Sequence, residues 1–80
     1  MTRWDYCTVS YSIRLDAQTA TLSVSFSRPG LPTHEETGVP VYELDAMFGD
    51  MAAEGWTLEN ADSYEAAGVF HETRYYRRAR

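Results

Sequence analysis

Four of the chain's seven basic residues fall together near its end, as Arg74, Arg77, Arg78 and Arg80 around Tyr75 and Tyr76. A guanidinium presents a planar fork of donors that pairs bidentately with carboxylate or phosphate, and a tyrosine ring adds a stacking surface at low entropy cost. On a strand, Arg74 and Arg78 share one face with Tyr76, while Tyr75 and Arg77 share the other. Arg74, Tyr75, Arg77 and Arg78 are therefore the candidate contacts for a partner or an anionic ligand. The competing reading is internal: the arginines neutralise an acidic body and blunt a sheet edge. Residues 1–70 hold eleven acids against three arginines, which leaves ample charge for such a role.

The other reactive side chains form no catalytic set. His71 and Glu72 are adjacent on a strand pattern, so they point to opposite faces and do not share a site. His34-Glu35-Glu36 are consecutive, and three consecutive residues rarely converge on a metal. Cys7 has no neighbouring base in the sequence and reads as a small core hydrophobe. All seven cations are arginine, so no lysine is present to form a Schiff base or complete a phosphate-binding loop. With no nucleophile–base pair, no metal set and no phosphate loop, the chain reads as non-enzymatic, and no cofactor and no metal are expected.

Size sets a second constraint. Eighty residues make one domain, here 1–80, near the lower limit for a self-sufficient core. A single cysteine forms no internal disulfide, and Cys7, His34 and His71 fall short of four zinc ligands. Self-association is the remaining supplement, so a homo-oligomer is expected. No apolar run spans a bilayer and the opening Met1 to Tyr6 lacks the apolar stretch of a secretory signal, so the expected location is cytoplasmic, with no membrane partner. The net charge of −5 argues against duplex nucleic acid, whose binding rests on many cationic contacts to phosphate.

The elements that position these residues follow from periodicity. Cys7, Val9, Tyr11, Ile13 and Leu15 alternate with polar residues, giving a strand from Trp4 to Leu15. Trp4 and Tyr6 fall on the opposite parity, which predicts a bulge at its start or burial on both faces. A turn at Asp16–Thr19 leads to a second strand carrying Leu22, Val24 and Phe26. The stretch 28–40, with Pro29, Pro32, Pro40, Gly30 and Gly38, predicts a loop without regular structure. Val41, Leu44, Phe48 and Met51 form one helical stripe over about Val41 to Glu54, and Gly55 then closes the helix in the left-handed region. Trp56 follows at the position that folds back onto the last turn, where it is expected to pack on Phe48, Met51 and Leu58. A third strand from Trp56 to about Tyr64, a turn at Ala66–Gly68 and a final strand from Val69 to Arg78 complete the chain. The fold class is therefore α+β: an antiparallel sheet of about four strands in ββαββ order with one amphipathic helix on one face. Trp4, Tyr6, Leu44, Phe48, Met51, Gly55, Trp56 and Leu58 are its structural residues.

These residues also carry a resemblance. Trp4-Asp5-Tyr6 at the start of a strand, Leu44 and Met47 on the helix, Ala53-Glu54-Gly55-Trp56-Thr57-Leu58 at the corner and Tyr75-Tyr76-Arg77-Arg78 at the close resemble domain-of-unknown-function family 4177. That family comprises small bacterial and phage proteins, and the resemblance implies a compact sheet with one packed helix and no established activity. The segment Ser10 to Pro40 is longer than the family pattern, and Thr57 stands where an acid is common. The sequence thus supports a small interaction or assembly protein, bacterial or phage-encoded, acting on itself or on a protein partner. The alternative is a binder or sequestering protein for an anionic, nucleotide-like small molecule held by Arg and Tyr side chains.

Overall fold

The computed structural model describes residues 3–28 and 30–80. Met1, Thr2 and Pro29, which enter the readings of the opening segment and the loop, lie outside the described residues. The element order is β1 (Trp4–Arg14), β2 (Thr19–Phe26), β3 (His34–Pro40), α1 (Val41–Ala53), β4 (Thr57–Ala66) and β5 (Val69–Ala79). All five strands join one antiparallel sheet in the order β3-β2-β1-β5-β4. The α+β class and the single helix agree with the sequence reading; the strand count and the order βββαββ correct it.

The added strand is β3, inside the stretch expected to be a loop. It pairs with β2 through a register shift between Ala20 and Leu22, and Gly38 takes φ +68° beside that irregularity. An edge strand needs backbone partners on one side only, so Gly38 and the terminal Pro40 are tolerated there. Pro40 ends the strand and serves as N-cap of α1 with φ −59°, so no linker separates the two elements. The Val41 amide instead donates to the Gln18 carbonyl at 3.3 Å, tying the helix start to the β1–β2 turn.

α1 must carry the chain from one sheet edge to the other. Four inter-strand spacings cover about 19 Å, and 13 residues of helix reach about 20 Å, so its length matches a crossing of the sheet. Its buried stripe is Leu44 and Met51, with Val41, Met47 and Phe48 partly buried. Beneath it lie Cys7, Val9 and Tyr11 of β1, Ala20, Leu22 and Val24 of β2, Val39 of β3 and Tyr76 of β5. The helix ends as the sequence foretells. The Gly55 amide donates to the Ala52 carbonyl at 3.1 Å, the Trp56 amide to the Met51 carbonyl at 3.0 Å, and Gly55 takes φ +92°. These two bonds are the Schellman ending, with Glu54 as the C-cap and Trp56 buried just beyond it.

Three local expectations change. The pairing of β1 with β5 runs unbroken from Trp4 to Arg14, so no bulge shifts Trp4 and Tyr6; both point to the helix-free face and are exposed. Trp56 packs against Phe26, with ring centroids 6.1 Å apart, and under Arg78, while Phe48 meets Tyr11 at 5.8 Å instead. Leu58 is exposed, because β4 is an outer strand exposed along its whole length. A register shift between Leu58 and Asn60 also reverses the alternation, sending Tyr64 to the face opposite Leu58.

Candidate functional site

The sheet has two faces of different chemistry. The face beneath α1 carries a polar network inside an aromatic frame. The Tyr11 hydroxyl donates to Glu72 Oε1 at 2.7 Å, Arg74 also donates to Glu72, and Arg74 reaches the Tyr76 hydroxyl at 3.3 Å. The Arg74 guanidinium lies 3.9 Å from the centre of the Phe48 ring. Burial alone would raise the Glu72 carboxyl, but the hydrogen bonds from Tyr11 and Arg74 outweigh it and hold the acid below its ordinary range. Burial pushes the Tyr11 phenol up to about 12, reinforced by its bond to Glu72. At one end of this face, buried Asp5 accepts from Arg80 at 2.7 Å and from Arg28 at 2.5 Å, and these bonds keep it ionised, the Arg80 bond foremost. Asp5 and Arg80 stand 75 residues apart, and no sequence pattern couples them.

The second face has no helix over it. Its centre is Thr8, Ser10 and Ser12 of β1, Thr21, Ser23 and Ser25 of β2, and Thr73 of β5, whose alignment follows from the register. Ser10 and Thr73 are hydrogen-bonded across strands at 3.3 Å, and Ser12 bonds His71 Nδ1 at 2.8 Å. Tyr64 stacks on the His71 ring at 4.6 Å. Trp4, Tyr6 and Tyr75 stand exposed at the other end of the same face. A shallow depression of about 310 Å³ lies among Ser10, Ser12, Ser23, Tyr64, His71 and Thr73. The hydroxyl alternation is visible in the sequence, whereas the place of Tyr64 on this face depends on the irregularity between Leu58 and Asn60.

The four arginines do not form one patch. Arg74 and Arg78 lie on the helix side, and Arg77 lies with Tyr75 on the open side, as strand alternation requires. Arg77 pairs with Glu59 and stacks 4.1 Å over Trp4, and Arg80 is committed to Asp5. Arg78 lies 4.4 Å over the Trp56 ring and donates to the Glu54 carbonyl at 3.5 Å. Arg74, Arg77 and Arg80 thus meet carboxylates within the chain, Arg78 meets a ring and a carbonyl, and Tyr75 is the candidate residue that reaches the open face without such an engagement.

Among the described residues no group of three or more His, Cys, Asp or Glu side chains converges as a metal site. His34 and Glu36 approach to 3.6 Å on β3 without a further ligand. Burial raises the Cys7 thiol to about 11, which leaves it protonated near neutrality. Among the described residues no helix is long and apolar enough to cross a membrane. The chain matches no protein-family model, no curated protein and no solved structure.

Proposed function

We propose that this chain is a small non-enzymatic interaction protein that assembles with a second copy through the open face of its sheet. The observation that supports this reading is the central field of Ser and Thr on β1, β2 and β5, bordered by Trp4, Tyr6, Tyr64 and Tyr75, with Glu35 and Asp62 at its two margins. Aromatic residues are enriched where protein surfaces meet, and two such sheet faces can pack about 10 Å apart. The edges are less suited to self-pairing. β4 carries Glu59, Asp62 and Glu65, and β3 carries Glu35 and Glu36, so edge-to-edge contact between copies would oppose like charges.

The available area is sufficient. The five strands run from 7 to 11 residues and average about 31 Å, and four strand widths give about 19 Å, so each copy offers about 600 Å². Two copies would then bury about 1,200 Å², at the lower end of the range of stable interfaces. Sedimentation equilibrium at micromolar concentration should show a dimer. Ser10→Lys, placing a charge at the centre of the central strand, should give a folded monomer, whereas Glu65→Lys on the edge should leave the dimer intact. A wild-type monomer, or a dimer indifferent to Ser10→Lys, would sink the reading.

A further inference from the structure

A cleft of about 470 Å³ opens on the opposite side of the sheet, against the last turns of α1. Its walls are Val24 and Phe26 of β2, Leu31 of the following loop, Met47 and Met51 of the helix, and Trp56. The volume lies within the range of small-molecule sites, which are mostly apolar with a few placed polar groups. Two methionines give the wall an adaptable surface that can close around different hydrocarbon shapes. The polar groups at the rim are Arg78, His34 and Glu54.

Arg78 gives the cleft its chemistry. Arg14, Arg28, Arg74, Arg77 and Arg80 each meet a carboxylate, whereas no carboxylate among the described residues reaches Arg78. Its guanidinium carbon lies 4.4 Å from the centre of the Trp56 ring and one N–H group reaches the Glu54 carbonyl at 3.5 Å, which leaves further N–H donors unengaged. A guanidinium fork at the border of an apolar cleft matches a carboxylate, which accepts bidentately. A phosphate dianion fits poorly. The C-terminal end of α1 and exposed Glu54 lie at the same rim, and the helix dipole is negative there. We infer that this cleft binds an apolar monocarboxylic acid, with the hydrocarbon body among Met47, Met51, Phe26 and Trp56 and the carboxylate on Arg78. Binding is non-covalent, since the buried Cys7 thiol at the cleft is protonated and a poor nucleophile.

The site is independent of self-association, which uses the other face, so either can fail alone. The test titrates the chain with 2-naphthoate and with its neutral counterpart 2-naphthylmethanol, following the methyl resonances of Met47 and Met51. The acid should bind at least about tenfold more tightly than the alcohol and shift both methyl groups. Arg78→Gln should bring the acid to the affinity of the alcohol while leaving the alcohol unchanged. Should that variant fail to fold, the acid-to-alcohol ratio in the wild-type chain decides alone. Equal affinity of the two probes, binding that leaves the Met47 and Met51 methyl resonances unmoved, or no binding at about 1 mM acid would overturn the assignment.

Discussion

Ala67 and Gly68 form the two-residue connection between β4 and β5, with φ of +53° and +77°. Positive φ at both positions is the type I′ geometry, whose twist matches that of the flanking strands. Gly68 takes it freely, but the Cβ of Ala67 crowds the following carbonyl, at a cost of about 1–2 kcal/mol in the left-handed region. Asparagine tolerates that region better, through local hydrogen bonding of its side chain. Ala67→Asn should therefore stabilise the chain by about 1 kcal/mol. Glycine removes the same strain but loosens the unfolded chain by about 0.4–1 kcal/mol, so Ala67→Gly should gain about 0.5 kcal/mol, less than asparagine. Valine, with its branched Cβ, should be worse than alanine. The position is exposed, so packing does not confuse the order.

Thermal and urea unfolding followed by circular dichroism, at one fixed protein concentration, reads this series directly. A gain of 1 kcal/mol corresponds to a rise of about 4–8 °C in Tm for a domain of this size. The expected ranking is Asn above Gly and Ala, with Val lowest. Asn at or below Ala, or Val equal to Ala, would show that the backbone strain inferred at Ala67 does not exist.

At the helix corner, Trp56→Ala should cost about 3–5 kcal/mol in urea unfolding, as for a buried core aromatic. Gly55→Ala should cost about 1–2 kcal/mol from its left-handed φ alone, because a Cβ there would meet only the Arg78 stem, at 3.7 Å; a neutral Gly55→Ala would refute the Schellman geometry. Acid titration tests the two depressed carboxyls, Asp5 and Glu72. Their folded values lie below the unfolded ones, so their contribution is complete above about pH 4 and is lost as pH falls through the folded values. Asp5→Asn should accordingly show a shallower loss of stability between about pH 4 and pH 2 than wild type, and identical slopes would remove Asp5 from the account.

What the sequence reveals depends on whether a feature is local. The stripe of Leu44, Phe48 and Met51 and the Glu54-Gly55-Trp56 ending are written within a few turns of chain, and both appear in the structure as read. The alternation of β1 and β2 is equally local. β3 escaped because its residues, His34 to Pro40, are polar and interrupted by Gly38, and only pairing with β2 makes them a strand. Leu58 is exposed because β4 lies at the sheet edge, and the place of Tyr64 on the open face is equally non-local. One extra residue at Glu59 changes parity, and nothing in the composition of β4 announces it. The four arginines are close in sequence, whereas the partners Trp4 and Asp5 come from the start of β1 and Trp56 and Glu59 from the start of β4 and the residue before it.

How each face satisfies its polar groups decides where a partner can settle. Beneath α1, Tyr11, Glu72, Arg74 and Tyr76 satisfy one another under the helix, so any rearrangement there would leave a charge uncompensated. At the edges, Glu36 and Glu65 are exposed, and covering them without a cation would carry the same penalty, whereas Glu35 and Asp62 stand at the two margins of the open face. The open face differs from both. Ser10 and Ser12 already bond Thr73 and His71 across the strands, and the backbones of β1, β2 and β5 are paired within the sheet. Removing water from the centre of that surface therefore strands few donors, while the exposed rings of Trp4, Tyr6 and Tyr75 supply apolar area to drive contact. Low desolvation cost and available aromatic area coincide on this one surface, and that coincidence favours assembly through the open face over assembly through either edge.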